Sequence, residues 1–342
     1  MTRLRRDSGG QVRWPRNTVL VGDAHEHLRG LPTASVDCIV TSPPYFSLRN
    51  YQVSGQLGLE ASVHEWVGHL LPVTDELARV LKPAGTLWLN LGDSYSRHGR
   101  YGVLAKGLVL APERLLLALS DRGWRVRNKV VWAKPNPMPA SASDRLTSSW
   151  ESIYLLVRSR HYYFDLDSVR EPHRSVRSAA KQRLPRRTRP AEWAGPLAGS
   201  QSGLDVLHGK GMTGHPLGKN PGDLWRVATG RGPAGHHATF PEALVRRPIL
   251  AGTLERVCAL CGLAWRRKGL VRSLGRVATV GAFRPGCACV GGYRPGLVLD
   301  PFMGSGTVGV VAAALGRDWL GIELNPDFAA SSIERIRRAT QT

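Results

Sequence analysis

Three groups of residues carry types and spacings suited to chemistry. The first is Asp300-Pro301-Phe302-Met303-Gly304-Ser305-Gly306-Thr307, placed directly after the apolar run "LVL". Glycines at a strand end let a backbone approach a ligand, and a helix that follows offers free N–H groups. Seventeen residues after Gly306, "WLGIELN" brings Glu323 to the end of a second apolar run, where a carboxylate suits the two hydroxyls of a ribose. Strand, GxG, helix, strand, Glu reads as an adenosine site; without the full GxGxxG, pyrophosphate is the less favoured ligand. The second group is Ser42-Pro43-Pro44-Tyr45, which stops the run "VDCIV". Adjacent prolines donate no backbone hydrogen bonds and hold the residue before them extended, so a frozen backbone stands between a hydroxyl and an aromatic ring. Alone, this is an ordinary strand terminator. The third group is Cys258 and Cys261 ("CALC") with Cys287 and Cys289 ("CAC"), 25 residues apart. Four thiolates in two close pairs make a tetrahedral zinc site; disulfides or unrelated thiols are the alternative.

These groups need elements to hold them. "NTVLVGD" (17–23) reads as a buried strand, "AHEHLRGLP" as a short helix and "SVDCIVTSPPY" as a second strand. Residues 62–85 have helical periodicity, with Trp66, Leu70, Val73, Leu77 and Val80/Leu81 on one face. Pro72 predicts a kink or two helices, and Gly85 an end. "TLWLNLGD" (86–93) predicts a third strand, "APERLLLALSDRGW" a helix opened by Pro112, and "RNKVVWAKP" and "WESIYLLVRS" two further strands. The pattern disappears over 158–235, which is rich in Arg, Gly and Pro, and returns with the helix "FPEALVRRPILAG". The chain closes as strand, glycine turn, helix, strand, turn, helix. Such alternation predicts an α/β sheet.

Composition narrows the partner. The 342 residues carry 47 Lys+Arg against 26 Asp+Glu, a formal net charge of +21, and 42% are hydrophobic. The excess favours a polyanion, because neutralising phosphates releases counterions. No apolar run reaches the ~18–20 residues that span a membrane, and the basic N-terminus lacks the apolar segment of a secretory signal. Five cysteines, four of them late, argue for a reduced compartment; a cytoplasmic setting, prokaryotic or phage-encoded, is expected.

With both motifs in view, "DPFMGSGT" resembles the S-adenosylmethionine motif of the amino-group DNA methyltransferases, cytosine-N4 and adenine-N6, and "TSPPY" resembles their catalytic motif. The catalytic motif comes first, as in the permuted beta group. The resemblance covers roughly residues 17–165 and 236–335 and includes "FPEAL" and "GIELNPDF". It implies a Rossmann-like class I methyltransferase fold: a mostly parallel, doubly wound sheet with helices on both faces. It also implies S-adenosylmethionine as cofactor and duplex DNA as partner, and leaves open whether a restriction endonuclease accompanies the enzyme.

Residue by residue, the resemblance assigns Asp300, Pro301, Phe302, Gly304, Ser305, Gly306 and Thr307 to the cofactor loop. Glu323 takes the ribose, with Asn325 beside it, and Phe240, Pro241 and Glu242 flank the methionine end. Asp23 meets the adenine amino group, or else caps the helix "AHEHL". Thr41 is strand-end packing and a cofactor neighbour. The family methylates an exocyclic amine of a flipped-out base. Its lone pair is delocalised into the ring, so acceptors aimed at the N–H protons favour the reactive form. The Ser42 hydroxyl accepts one; the Pro43 carbonyl, held by Pro44, accepts the other without reorganisation. Tyr45 offers a stacking face. Family members acting on adenine mostly carry Asp where this chain has Ser42, and Ser-Pro-Pro-Tyr resembles the cytosine-N4 type. Cytosine-C5 chemistry would need a cysteine nucleophile, and Cys38 lies inside an apolar strand.

The expected organisation is a basic arm (1–16), a catalytic half (17–165), a target-recognition segment (166–235), a return to the catalytic domain (236–254), a zinc insertion (255–293) and a cofactor half (294–342). Stretches 170–190 and 205–220 are the natural DNA readers, and Asn136, Pro137 and Arg145 lie in a segment similar to one that lines the base pocket. The basic run between the cysteine pairs is a further DNA contact. Competing readings are adenine-N6 transfer, an RNA or protein amine methyltransferase, and an inactive zinc-containing DNA-binding protein. The second usually carries Asn-Pro-Pro-Tyr with its glycine motif first, and this chain does neither.

Overall fold

Apolar strands alternate with amphipathic helices in a computed structural model, which describes residues 5–6, 12–13, 15–96, 99, 101–172, 215, 217–230, 241–267, 270–272 and 278–341. In chain order the main elements are β1 (Thr18–Val21), α1 (Ala24–Gly30), β2 (Val36–Thr41), α2 (Val63–Val80), β3 (Leu81–Leu91), α3 (Ala111–Asp121), β4 (Arg125–Ala133), β5 (Trp150–Val157) and β6 (Leu224–Arg226). They continue with α4 (Glu242–Gly252), β7 (Leu297–Asp300), α5 (Thr307–Ala314), β8 (Asp318–Glu323) and α6 (Pro326–Gln341). The strands form one sheet in the order β1-β8-β7-β2-β3-β5-β4-β6. β1, β8, β7, β2 and β3 run parallel; β5 is antiparallel to both neighbours, and β6 is parallel to β4. This is the α/β sheet that the alternation predicted, in the mostly parallel, doubly wound form that the resemblance implied.

Period-two patterning decides which helices cover which face. Ile39, Leu87, Leu89, Leu91 and Leu299 join Leu28, Trp66, Leu70, Leu77 and Leu115 in one core under α1, α2 and α3. The alternate residues, Cys38, Thr86 and Trp88, meet the end of α4, where a Cβ on Gly252 would lie 2.3 Å from Thr86 Oγ1. α5 packs on α4 and α6. No helix among the described residues is long and apolar enough to cross a membrane.

Two expectations need correction. α2 is one unbroken helix through Pro72, closed at its start by Ser62, which accepts from Glu65 N. It ends at Val80, not Gly85, where the Arg79 guanidinium ties the last turn to the carbonyls of Leu28 and Leu31. β3 begins at once, and Gly85 lies inside it because a Cβ there would fall 2.8 Å from the Asp37 carbonyl. One compact unit comprises residues 1–165, 222–266 and 285–342. β6 pairs with β4 and buries Trp225, whose ring lies 6.2 Å from that of Trp88. Three residues are too few to show a period.

The second unit comprises residues 166–221 and 267–284. Its described part holds the turn Asp167–Val169, with Arg170 bonded to Asp167 and to the Gly218 carbonyl, and an antiparallel pair, Leu270–Arg272 with Ala278–Val280. Most of the stretches 170–190 and 205–220 lies outside the described residues, as do most of the basic arm and residues 268, 269 and 273–277 of the run between the cysteine pairs.

Candidate active site

β2 and β7 are adjacent and parallel, so residues distant in sequence end side by side. Thr41 Oγ1 donates to Asp300 Oδ1 at 2.7 Å, across 259 positions. Asp300 also accepts from Phe302 N at 3.1 Å, which shapes the start of the glycine loop. Asp300 is 1% exposed, and burial pushes its carboxyl up to about 7 against the pull of these two donors. Below it, Asp37 accepts from Leu297 N and pairs with Lys82, locking β2 to both β7 and β3.

The loop then closes on Glu323. Gly304 N donates to Glu323 Oε2 at 2.7 Å, and Asn325 N donates to Oε1 at 2.9 Å. Each oxygen keeps a further lone pair for a ligand. Burial raises the Glu323 pKa, and its backbone donors oppose the rise. Gly306 opens α5 at φ +79, where a Cβ would lie 2.9 Å from that of Ser332. Arg335 supports the loop from below by donating to the Ser305 carbonyl and Thr307 Oγ1, and it also bonds Glu242 at 2.8 Å. Glu242 therefore reaches the loop through Arg335. Pro241 caps α4, and Phe240 lies outside the described residues.

A cavity of about 850 Å³ opens at these strand ends. Asp23, Ser42, Pro44, Pro301, Phe302, Gly304, Ser305, Glu323 and Asn325 line it; Thr41, Pro43, Tyr45, Asp300, Gly306, Thr307, Pro241 and Glu242 do not. Asp23, besides lining the cavity, caps α1 by accepting from Glu26 N at 2.9 Å. The loop after the prolines supplies Tyr51, Gln52 and Val53, and α2 supplies Gly68, His69 and Pro72.

Beside the cavity, the Ser42 hydroxyl donates to Tyr45 Oη at 3.1 Å, and Tyr45 donates to Glu151 Oε2 at 2.8 Å. Asn90 Nδ2 reaches Tyr45 Oη at 2.5 Å and Glu151 at 3.1 Å, and Lys134 pairs with the other Glu151 oxygen. Burial and the nearby Glu151 charge hold Tyr45 well above the ordinary phenol range, so it stays a neutral donor. Its ring lies against Gly92, where a Cβ would approach Cε2 to 2.7 Å. Trp66 Nε1 donates to the Pro44 carbonyl at 3.0 Å; among the described residues no hydrogen bond ends on the Pro43 carbonyl. Asn90 Oδ1 is buried with no partner among the described residues.

Asn90, Lys134 and Glu151 escaped the sequence reading. Glu151 is the second residue of β5, and a residue near the start of a strand stands with the ends of β2 and β3 only when its strand is antiparallel. That orientation has no local signature. Asn90 left a faint one, a polar residue inside "LWLNL". Cys38 is buried and pushed up to about 11, an inert thiol bonded by Thr86. Asn136 bonds the backbone of Thr229, and Arg145 stacks 3.8 Å over the Tyr95 ring; neither lines the cavity. The four late cysteine sulfurs lie within 4.8 Å of one another, and none of them lines the cavity.

Known proteins are similar to this chain in sequence and in fold. A family model for N6/N4 methyltransferases, described as DNA methylase, matches residues 36–334. The Type II methyltransferase M.SmaI of Serratia marcescens is 33% identical over 94% of this chain and 90% of its own. M.Cfr9I of Citrobacter freundii is 33% identical over 94% of this chain and 87% of its own. In structure, the cytosine-N4-specific PvuII DNA methyltransferase is similar with a TM-score of 0.56 at 18% identity, over 95% of this chain and 94% of its own. A putative DNA modification methylase of Thermus thermophilus, complexed with S-adenosyl-L-methionine, gives 0.53 at 22% identity, over 94% of each chain. The likeness in structure is one of fold, a methyltransferase sheet; the match over most of the sequence settles the lineage, and the chain belongs to the N6/N4 DNA methylase family.

Proposed function

We propose that this protein methylates the exocyclic N4 amino group of a cytosine flipped out of duplex DNA, by direct transfer with no covalent enzyme intermediate. The observation that carries the reading is the shared cavity, which brings Ser42 and Pro44 together with Gly304 and Glu323. Its size, about 850 Å³, lies in the range of small-molecule sites. Glu323 keeps lone pairs for a ribose, Gly304 presents bare backbone, and Asp23 lines the same cavity, so the residues fit S-adenosylmethionine. That cofactor supplies an electrophilic methyl group.

The chain's own part is to make a poor amine nucleophilic. Ser42 Oγ accepts one amino proton while donating to Tyr45, and the rigid Pro43 carbonyl accepts the other. The orphaned Asn90 Oδ1 adds an acceptor in the same cluster. When the nitrogen gains a methyl group it must shed one proton. Ser42 takes it and passes its own to Tyr45, which passes its own to Glu151; the donors already point that way. Lys134 and Asn90 hold the Glu151 carboxylate in place. Each link exchanges one proton, and no phenolate forms.

The neutral hydroxyl of Ser42 favours cytosine over adenine, and the +21 charge favours a nucleic acid over a protein substrate. The related Type II methyltransferases make a cognate endonuclease a natural companion. Labelled methyl transfer to duplex DNA, RNA and protein tests the substrate class: label only in DNA, lost in Ser42→Ala, supports the reading. Cofactor binding with no transfer to any of them contradicts it.

A further inference from the structure

We infer that Cys258, Cys261, Cys287 and Cys289 hold one Zn²⁺ ion that stabilises the insertion between α4 and β7 and takes no part in methyl transfer. All four sulfurs lie within 4.8 Å of one another. A tetrahedron with Zn–S bonds near 2.3 Å places its sulfurs about 3.8 Å apart, so small shifts bring all four onto one ion. The thiols are free, and no two are drawn into a bonded pair.

The backbone around them has the form of a knuckle. Cys258 N donates to the Leu263 carbonyl at 2.8 Å and Gly262 N returns to the Cys258 carbonyl at 3.0 Å, folding the first pair into a tight turn. Gly262 completes it at φ +72, open to glycine at little cost. Gly286, just before the second pair, lies so near Ala264 that a Cβ would fall 2.3 Å from its carbonyl oxygen. Val257–Cys258 then pairs antiparallel with Tyr293–Arg294, which joins the start of the insertion to its end.

A need for the ion follows from what the insertion lacks. Of its described side chains, Val257 and Cys258 are buried, whereas Leu260, Leu263 and Val290 are exposed. The ring pair Trp265–Tyr293 at 5.1 Å, with Arg256 4.2 Å over Tyr293, is a thin substitute for a core. Segments of this size depend on a metal or disulfides for a fixed shape. Thiolate softness and tetrahedral placement select zinc, with iron the competitor.

The position argues for a structural role. Gly296 N donates to the Leu254 carbonyl at 3.0 Å, so the two ends of the insertion meet at the foot of β7. The glycine loop leaves the opposite end of that strand. β7 is buried and paired on both sides, by β2 and β8, so the cavity keeps its walls when the insertion loosens.

Metal analysis of the full chain, purified under reducing conditions without chelator, tests this directly. One zinc per chain is expected. Replacement by Co²⁺ should give the intense visible bands of a tetrahedral site and thiolate-to-cobalt charge transfer. Cys261→Ser should lose the metal and become sensitive to protease between residues 255 and 293, while its affinity for S-adenosylmethionine stays within twofold. Absence of stoichiometric metal in unoxidised protein overturns the proposal, as does iron in place of zinc. A metal-free Cys261→Ser variant that folds and resists protease like the parent overturns the structural role. None of these readouts depends on the methylation reading.

Discussion

Tyr45 donates a 2.8 Å hydrogen bond to Glu151 across 106 positions of sequence, and this contact turns a proline-stopped strand into a device. It joins the only antiparallel strand of the described sheet to the motif at the end of β2. Ser42, which donates to Tyr45 Oη at 3.1 Å, is linked through it to the same carboxylate.

Removing the end of that chain should slow transfer without loosening the cofactor. Glu151→Gln keeps the volume but removes the basic oxygen. A fall in kcat on the order of 10² is expected, the scale of a lost proton acceptor. Affinity for S-adenosylmethionine, read by calorimetry, should be unchanged, since Glu151 does not line the cavity. Equal losses in both would mean that Glu151 only holds the fold.

Gly92→Ala probes the placement of Tyr45. A Cβ there would lie 2.7 Å from Cε2 and 3.0 Å from Cδ2, so the ring must move. Misplacement of about 1 Å can cost on the order of 10² in rate. Single-turnover transfer should drop by that order while thermal stability changes little. Full activity would show that the ring position does not matter.

Cofactor affinity should weaken as pH falls through the raised pKa of Glu323. The ionised carboxylate accepts from Gly304 N and Asn325 N and still has lone pairs for ribose hydroxyls; protonation turns one acceptor into a donor. Because burial raises that pKa, the loss begins at higher pH than for an ordinary carboxylate. Calorimetry across pH should show the decline in the parent, and Glu323→Gln should bind weakly at every pH. A flat parent profile would remove Glu323 from the ribose.

Asp300 makes a prediction about stability of the sign opposite to a surface carboxylate. Its folded pKa, about 7, lies above its unfolded value. The folded state therefore holds the extra proton, and stability from this group is present at low pH and lost as pH rises toward and past 7. The span corresponds to on the order of 4 kcal/mol. Asp300→Asn keeps an acceptor for Thr41 and Phe302 but cannot ionise. Cofactor-free melting should show the variant gaining on the parent between pH 5 and pH 8. Parallel curves would contradict the assignment.

Most of the fold was legible because its signals are local. The strand at Leu297–Asp300, the glycine turn and the helix behind it follow from an apolar run and the glycines that end it. Both chemical motifs and the cysteine set could be read for the same reason. What was hidden depends on strand direction and long-range pairing. Glu151 is an ordinary surface-type residue in "WESIYLL" until β5 turns antiparallel and sets it beside Tyr45. β6 is three residues in a Gly- and Pro-rich stretch and gains its identity only from β4. Pro72 warned of a break in α2, yet the helix continues as part of the cavity wall, where tertiary packing outweighs a single lost backbone bond.

The central claim is the methylated base itself. Duplex DNA incubated with the purified protein and S-adenosylmethionine, digested to nucleosides and analysed by mass spectrometry, reports it directly. The account predicts N4-methylcytosine, absent when Ser42→Ala replaces the parent. N6-methyladenine without N4-methylcytosine would contradict it.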